Sequence, residues 1–164
     1  MKILLLPGAN PATIQWLSDL CDQLDLPAHD RETHSYSFLE KPDEPKSINH
    51  EVSLLNQSHY DLVIAKSLGS FILLQGLHER IISAERSLIF GVPLDIADDV
   101  GFDLAYFGAA DHNNILFIQQ INDKLGKADK LAAHVTRNLF TIQGKDHMYN
   151  SHHLFLKHIS GWLK

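Results

Sequence analysis

Asp61-Leu-Val-Ile-Ala-Lys-Ser-Leu-Gly-Ser70, continuing into the apolar run Phe71 to Leu77, reads as a strand that passes through a serine into a helix. Leu62 to Ala65 carries no polar residue, as a strand covered on both faces requires. Such a strand has to be flanked by helices on both sides of its sheet, so this one stretch sets the expectation of an α/β fold. Ser67 sits where the strand ends. Taken by itself it has an ordinary role open to it, that of helix N-cap, because a serine hydroxyl readily accepts from a first-turn N–H.

The rest of the chain repeats the rhythm. Ile3 to Leu6, Leu88 to Phe90, Ile115 to Ile118 and Leu139 to Ile142 are short apolar runs of the same kind. His34 to Leu39 differs: Tyr36 and Phe38 alternate with Ser35 and Ser37, which predicts a half-exposed edge strand. Ile14, Leu17, Leu20, Cys21 and Leu24 form a helical stripe, with Asn10 as expected N-cap, Pro11 in the first turn and Pro27 beyond the end. Ala128, Leu131, Ala132 and Val135 form another; Leu154, Phe155, His158, Ile159, Trp162 and Leu163 form a third, with Ser151 as cap. Lys41 to Lys46, with Pro42 and Pro45 among charges, reads as a surface loop. The 164 residues, 45% of them apolar, suffice for one core. The expectation is a single domain over residues 1–164, a three-layer α/β/α sandwich around about six mostly parallel strands.

Composition narrows the partners. The formal charge of -6 is scattered, and the 14 Lys and Arg form no basic run that could follow a phosphate backbone, so no nucleic-acid partner is expected. No apolar run approaches the roughly 20 residues of a membrane helix. Met1-Lys2 leads directly into the first strand with no space for a secretory leader, so the expected location is the cytoplasm, as monomer or homodimer. Cys21 is the single cysteine, which leaves no internal disulfide or CxxC zinc site, and its place on the helical stripe reads as packing. There is no Walker sequence, Lys2 to Asn10 has one glycine where a dinucleotide fingerprint needs three, and neither His50-Glu51 nor His78-Glu79 extends to His-Glu-x-x-His. His152 and His153, about 100° apart on a helix, read as surface residues rather than a metal pair. Neither a metal nor an organic cofactor is implied.

Ala65-Lys66-Ser67-Leu68-Gly69 resembles the nucleophile elbow of α/β-hydrolases, with Ala65 in place of the first glycine of G-x-S-x-G. The resemblance implies a strained turn, small residues two positions either side of the serine, a hydroxyl raised above the sheet edge, and the Leu68 N–H as one oxyanion donor. Three more segments fall at strand ends in the family's order. Leu6-Pro7-Gly8-Ala9-Asn10 stands where the family has the loop that supplies the second donor, here the Ala9 N–H, with Pro7 replacing the usual histidine. Gln119 to Gly126 resembles the acid loop and puts Asp123 in the acid position. Gln120 stands there where a glycine is usual, so either the loop turns differently or Gln120 takes an unusual conformation. Gly144-Lys-Asp-His147 resembles the histidine loop, so Ser67, Asp123 and His147 follow the family's chain order. Asp95 in Gly91-Val-Pro-Leu-Asp95 is a second candidate acid, and Asp146 is expected to close its own turn as an Asx motif. Lys66 beside the serine resembles the elbow of small hydrolases near the dienelactone-hydrolase branch. It is expected either to meet an anionic substrate or to pair with a carboxylate at the sheet edge.

Under this resemblance the chain starts at the family's third strand and lacks the first two, which makes His34 to Leu39 a sheet edge beside the first run. It implies a minimal hydrolase without a cap domain. Gly91 to Asn114 is short and carries Asp95, Asp98, Asp99, Asp103 and Asp111, with Phe102, Leu104, Tyr106 and Phe107 free to form one short helix beside the site. The implied activity is serine hydrolysis of an ester or thioester of a small soluble substrate, with His147 as base to Ser67 and Asp123 orienting the imidazole. The other class of function open to the same residues is a binding or scaffold protein that keeps the pocket without the chemistry.

Overall fold

The computed structural model describes residues 1–40, 46–109 and 112–164, so the surface loop expected at Lys41 to Lys46 lies outside it apart from Lys46. Among the described residues, strands β1 (Ile3–Leu6), β2 (Arg31–Thr33), β3 (Ser58–Lys66), β4 (Ile82–Phe90), β5 (Ile115–Gln120) and β6 (Leu139–Ile142) form one sheet. Its order is β2-β1-β3-β4-β5-β6, and every neighbouring pair is parallel. The helices are α1 (Ala12–Gln23), α2 (Ser37–Glu40), α3 (Ile48–Ser53), α4 (Leu68–His78), α5 (Ala105–Ala109), α6 (Ala128–Ala132) and α7 (Leu156–Trp162). None is long and apolar enough to cross a membrane.

The apolar runs in β1, β3, β4 and β5 are uninterrupted because both faces of the sheet are covered there. In β1, Leu4 and Leu6 enter one core with Phe71, Ile72 and Leu74 of α4, while Ile3 and Leu5 enter another with Leu17 and Leu20 of α1 and Ile159 of α7. Two-residue alternation along a strand thus divides one run between two cores. Cys21 is fully buried in the second of them, and burial pushes its thiol up to about 11, which suits packing and not reactivity.

The edge strand is where the sequence expectation needs correction. It lies beside β1, as expected, but it is Arg31–Thr33 and not His34 to Leu39. After the His34 N–H reaches Leu5 O, the chain turns inward. The Tyr36 hydroxyl donates to the Pro7 carbonyl, and the buried Glu51 carboxylate accepts from both the N–H and the hydroxyl of Ser37, which starts α2. Tyr36 and Phe38 are both buried, their rings stacked 5.1 Å apart, so the period-two pattern marked a real apolar face carried by a turn and a short helix.

Helix starts differ too. Pro11, not Asn10, takes the N-cap position of α1, while Asn10 Oδ1 accepts from the Ala12 N–H. Ile14 is exposed and Trp16 takes its place in the core. Ser151 caps nothing with its side chain, and α7 begins only at Leu156. β4 begins at Ile82, six residues before the apolar run, because its amino-terminal half is partly exposed and tolerates Ser83, Glu85 and Arg86.

The strand order positions the site. β1 lies between β2 and β3, so the chain leaves β1 towards one edge, returns, and continues to the other. At such a reversal the connections after the two central strands diverge and leave a crevice at their carboxyl ends. Ala9 follows β1 and Ser67 follows β3, so both residues face that crevice.

Candidate active site

Ser67 has φ 52° and ψ -119°, a backbone region costing about 1–3 kcal/mol for a non-glycine residue. The turn is held by main chain: the Ser67 N–H donates to Phe90 O at 2.9 Å, and the Ser70 N–H donates to Ser67 O at 2.9 Å. A Cβ on Gly69 would lie 2.1 Å from Leu6 O, so the small residue after the serine is required where α4 crosses the end of β1. Ser67 makes no side-chain capping bond to α4, which removes the ordinary N-cap reading. Its hydroxyl points across the crevice instead.

There Ser67 Oγ meets His147 Nε2 at 2.8 Å. On the other side of the ring, His147 Nδ1 lies 2.8 Å from both carboxylate oxygens of Asp123. A carboxylate can only accept, so Nδ1 carries the proton and Nε2 presents its lone pair to the serine. Asp123 is 1% exposed and is satisfied further by the Leu125 N–H at 2.9 Å and the Tyr149 hydroxyl at 2.8 Å. The three residues that the resemblance singled out are therefore brought into one hydrogen-bonded relay. Asp95 is not; it pairs on the surface with Lys130.

Gln120 answers the question its position raised. It is the last residue of β5, in ordinary strand conformation, and its side chain does what the loop needs. Oε1 accepts the His147 N–H at 3.0 Å and Nε2 donates to Asp146 Oδ1 at 2.9 Å. Asp146 also accepts the Met148 N–H at 2.8 Å, the Asx-type closure expected of it, and the Gln120 bond is the main cause that holds its carboxyl below the ordinary range. The neighbouring Gln119 is fully buried and ties the acid loop to the end of β4, accepting from Val92 N–H at 2.8 Å and donating to Gly126 O. Gly91, at φ 63°, has to be glycine because a Cβ there would lie 2.8 Å from the Tyr149 ring. Tyr149, Gln119 and Thr13 were not singled out from the sequence. The available signal was two glutamines extending an apolar strand, since a buried amide must find partners.

Thr13 shapes the first loop. Its hydroxyl accepts the Gly8 N–H at 2.8 Å and donates to Asn10 O at 2.6 Å, bracketing Ala9. No protein group among the described residues accepts from the main-chain N–H of Ala9 or Leu68, and both residues line the same groove as Ser67 and His147. The groove has a volume of about 550 Å³ and runs between α1 and the loop after β6, walled by Trp16, Leu125 and Met148. From Gly91 to Asn114 only Ile96 reaches it among the described residues. The short helix expected from Phe102, Leu104, Tyr106 and Phe107 is confined to Ala105–Ala109, with Phe102 and Leu104 before it; Phe102 stacks on Phe71 at 4.1 Å, Phe107 is buried in the core, and neither lines the groove.

Lys66 is 2% exposed and forms no ion pair among the described residues, so of its two expected roles the pairing with a carboxylate is not found. Its ammonium donates to the His147 carbonyl at 3.1 Å and lies 4.7 Å from the Trp16 ring centre and 4.5 Å from that of Tyr149. His152 packs edge-on against Trp16 at 5.2 Å, while His153 is exposed. For a metal, the described residues offer His59, Asp61 and Glu85 at the far, amino end of the sheet, with ligand atoms within 4.8 Å of one another. Asp61 there already accepts the Lys2 N–H and His59 bonds Ser83. No protein-family model matches this chain, and no curated protein matches it.

Proposed function

We propose that this chain is a serine hydrolase of the minimal α/β-hydrolase type, with its sheet as the middle layer of an α/β/α sandwich. It would cleave a carboxylic ester or thioester of a small soluble substrate. The observation that carries the reading is the continuous relay Ser67 Oγ, His147, Asp123 at 2.8 Å per step, in a groove that also holds two main-chain N–H groups without partners among the described residues. A serine acting only as a helix cap would have no use for a buried, oriented imidazole.

In this mechanism Ser67 Oγ attacks the carbonyl carbon as its proton passes to His147 Nε2. The carbonyl oxygen takes the negative charge and is met by the N–H groups of Ala9 and Leu68. Collapse of the adduct expels the alcohol or thiol, which takes the proton from the imidazolium and leaves the acyl group on Oγ. Water then repeats the sequence, delivering its proton to Nε2 and releasing the acid. Asp123 holds the Nδ1 proton throughout and stabilises the imidazolium. The open groove, with no cap over it among the described residues, favours short acyl groups over long chains.

The test is labelling with a fluorophosphonate, which reacts only with an activated serine. The expected result is one adduct on Ser67 by mass spectrometry, absent in Ser67→Ala and His147→Ala, with p-nitrophenyl ester turnover falling from acetyl to dodecanoyl. Folded protein that stays unlabelled would replace the enzyme with a binding protein of the same shape, and an optimum at long chains would overturn the substrate class.

A further inference from the structure

The proposed hydrolysis makes no use of the side chain that precedes the nucleophile, yet Lys66 is the one buried lysine or arginine among the described residues. It stands where three separate segments meet: the end of β3, the Trp16 face of α1, and the histidine loop after β6. Trp16 and Tyr149 are themselves joined, because the indole N–H donates to Tyr149 O at 3.3 Å. The loop they enclose is strained. His147 at φ 65° and Tyr149 at φ 61° both take the left-handed conformation, which non-glycine residues hold only when their surroundings enforce it. This double reversal aims the His147 carbonyl at the ammonium and its ring at Ser67.

We propose that Lys66 is a positioning residue for the relay: its ammonium, clamped by the Trp16 and Tyr149 rings, holds the His147 main chain so that the imidazole stays on Ser67. The proposal rests on the serine-hydrolase reading. A neutral amine could still donate to the carbonyl, but it would lose the attraction of both ring faces and the charge that strengthens the hydrogen bond. The clamp is therefore expected to work only in the protonated state.

The charges around Lys66 set where that state ends. Burial lowers its pKa from 10.5 to about 8, against the pull of Asp123 and Asp146. From the loop after β6 it is also faced by His147 and Tyr149, and its charge contributes to lowering His152, whose main cause is burial. From α1, Trp16 presents only a ring, with Asp19 further along the groove. The sign of the shift separates a functional role from a structural one. A lysine whose pKa is depressed by folding holds its proton less well in the fold than in the unfolded chain, so the charge costs stability below about pH 8, and the cost is relieved as pH rises towards 10.5. Stability should rise across that window while the clamp, and with it the activity, is lost.

The experiment measures fluorophosphonate labelling rate, melting temperature and the ¹³Cε resonance of Lys66 on the full chain, from about pH 6 to about pH 10. Wild type is expected to label about tenfold more slowly at the alkaline end, following one ionisation near the Lys66 titration. Lys66→Met keeps the apolar stem and removes the charge. It should label about tenfold more slowly at neutral pH, lack the alkaline decline, and melt no lower than wild type. Wild-type labelling speed in Lys66→Met, or an alkaline decline that survives in it, would overturn the proposal. If wild type does not label at all, the hydrolase reading fails by itself, and the amide resonances of residues 147–149 judge the clamp: they follow the Lys66 titration if it holds and ignore it if it does not.

Discussion

The turn that presents Ser67 and the loop that presents His147 meet at 2.8 Å, but they are held by opposite means. Residues 65–70 are fixed by main chain and by the absence of side chains: Ser67 N–H on Phe90 O, Ser70 N–H on Ser67 O, and Gly69 against Leu6 O. Regular elements enter and leave this turn directly, β3 on one side and α4 on the other. Residues 144–150 have β6 on one side only, and their shape depends on side chains from elsewhere in the chain. Gln120 takes the His147 N–H, Lys66 takes its carbonyl, and the Trp16 indole holds Tyr149 O. The first is thus held by main-chain groups that side-chain substitution does not remove. The second can be loosened one tether at a time.

Under the proposed hydrolysis the sharpest division concerns Asp123, which lies in neither loop and holds the His147 ring of the second. Asp123→Asn should lower kcat by about 10³-fold or more in ester hydrolysis, because the amide permits the wrong imidazole tautomer. Asp95→Asn should stay within about twofold, since that carboxylate only pairs with Lys130 on the surface. The reverse ranking would move the acid to the end of β4.

Gly69→Ala tests the elbow. Its new methyl group would collide with main chain that no rotamer can relieve, so a loss of about 3 kcal/mol or failure to fold is expected in urea titration. A stable, active Gly69→Ala would mean that the elbow, too, adjusts.

Tyr149→Phe tests the other side with a smaller effect. It removes the hydroxyl that donates to Asp123 and accepts from the Gln120 N–H, but leaves the ring against Lys66 and the Leu125 bond to Asp123 in place. About a tenfold fall in kcat is expected, with about 1–2 kcal/mol of stability lost because the Gln120 N–H stays buried and unpaired. Loss of all activity would show that the Tyr149 hydroxyl cannot be spared from the relay.

Much of the candidate site was legible because the segments around Ser67, Asp123 and His147 resemble three loops of α/β-hydrolases and each follows an apolar run, and a strand end in a parallel sheet is where loops converge. The supporting residues were not, for the complementary reason. Gln120 looked like a missing glycine when it was the anchor of a loop 27 residues away. Nothing in the sequence singles out Tyr149, whose hydroxyl lies between Asp123 and the Gln120 N–H. Lys66 read as a charge for either an anionic substrate or a carboxylate, and its ammonium lies against two aromatic rings.

The rhythm of strand and helix, five of the six strand positions and the order of Ser67, Asp123 and His147 at strand ends were determined by the sequence by itself. Burial on both faces imposes a continuous apolar run, and that is a property of neighbours along the chain. The tertiary structure alone decided that the edge strand lies at Arg31–Thr33, that Asp123 and not Asp95 reaches the histidine, and that Lys66 joins three segments. Each of these turns on which distant group satisfies a buried N–H, carbonyl or charge. That choice is made only when the segments are packed together.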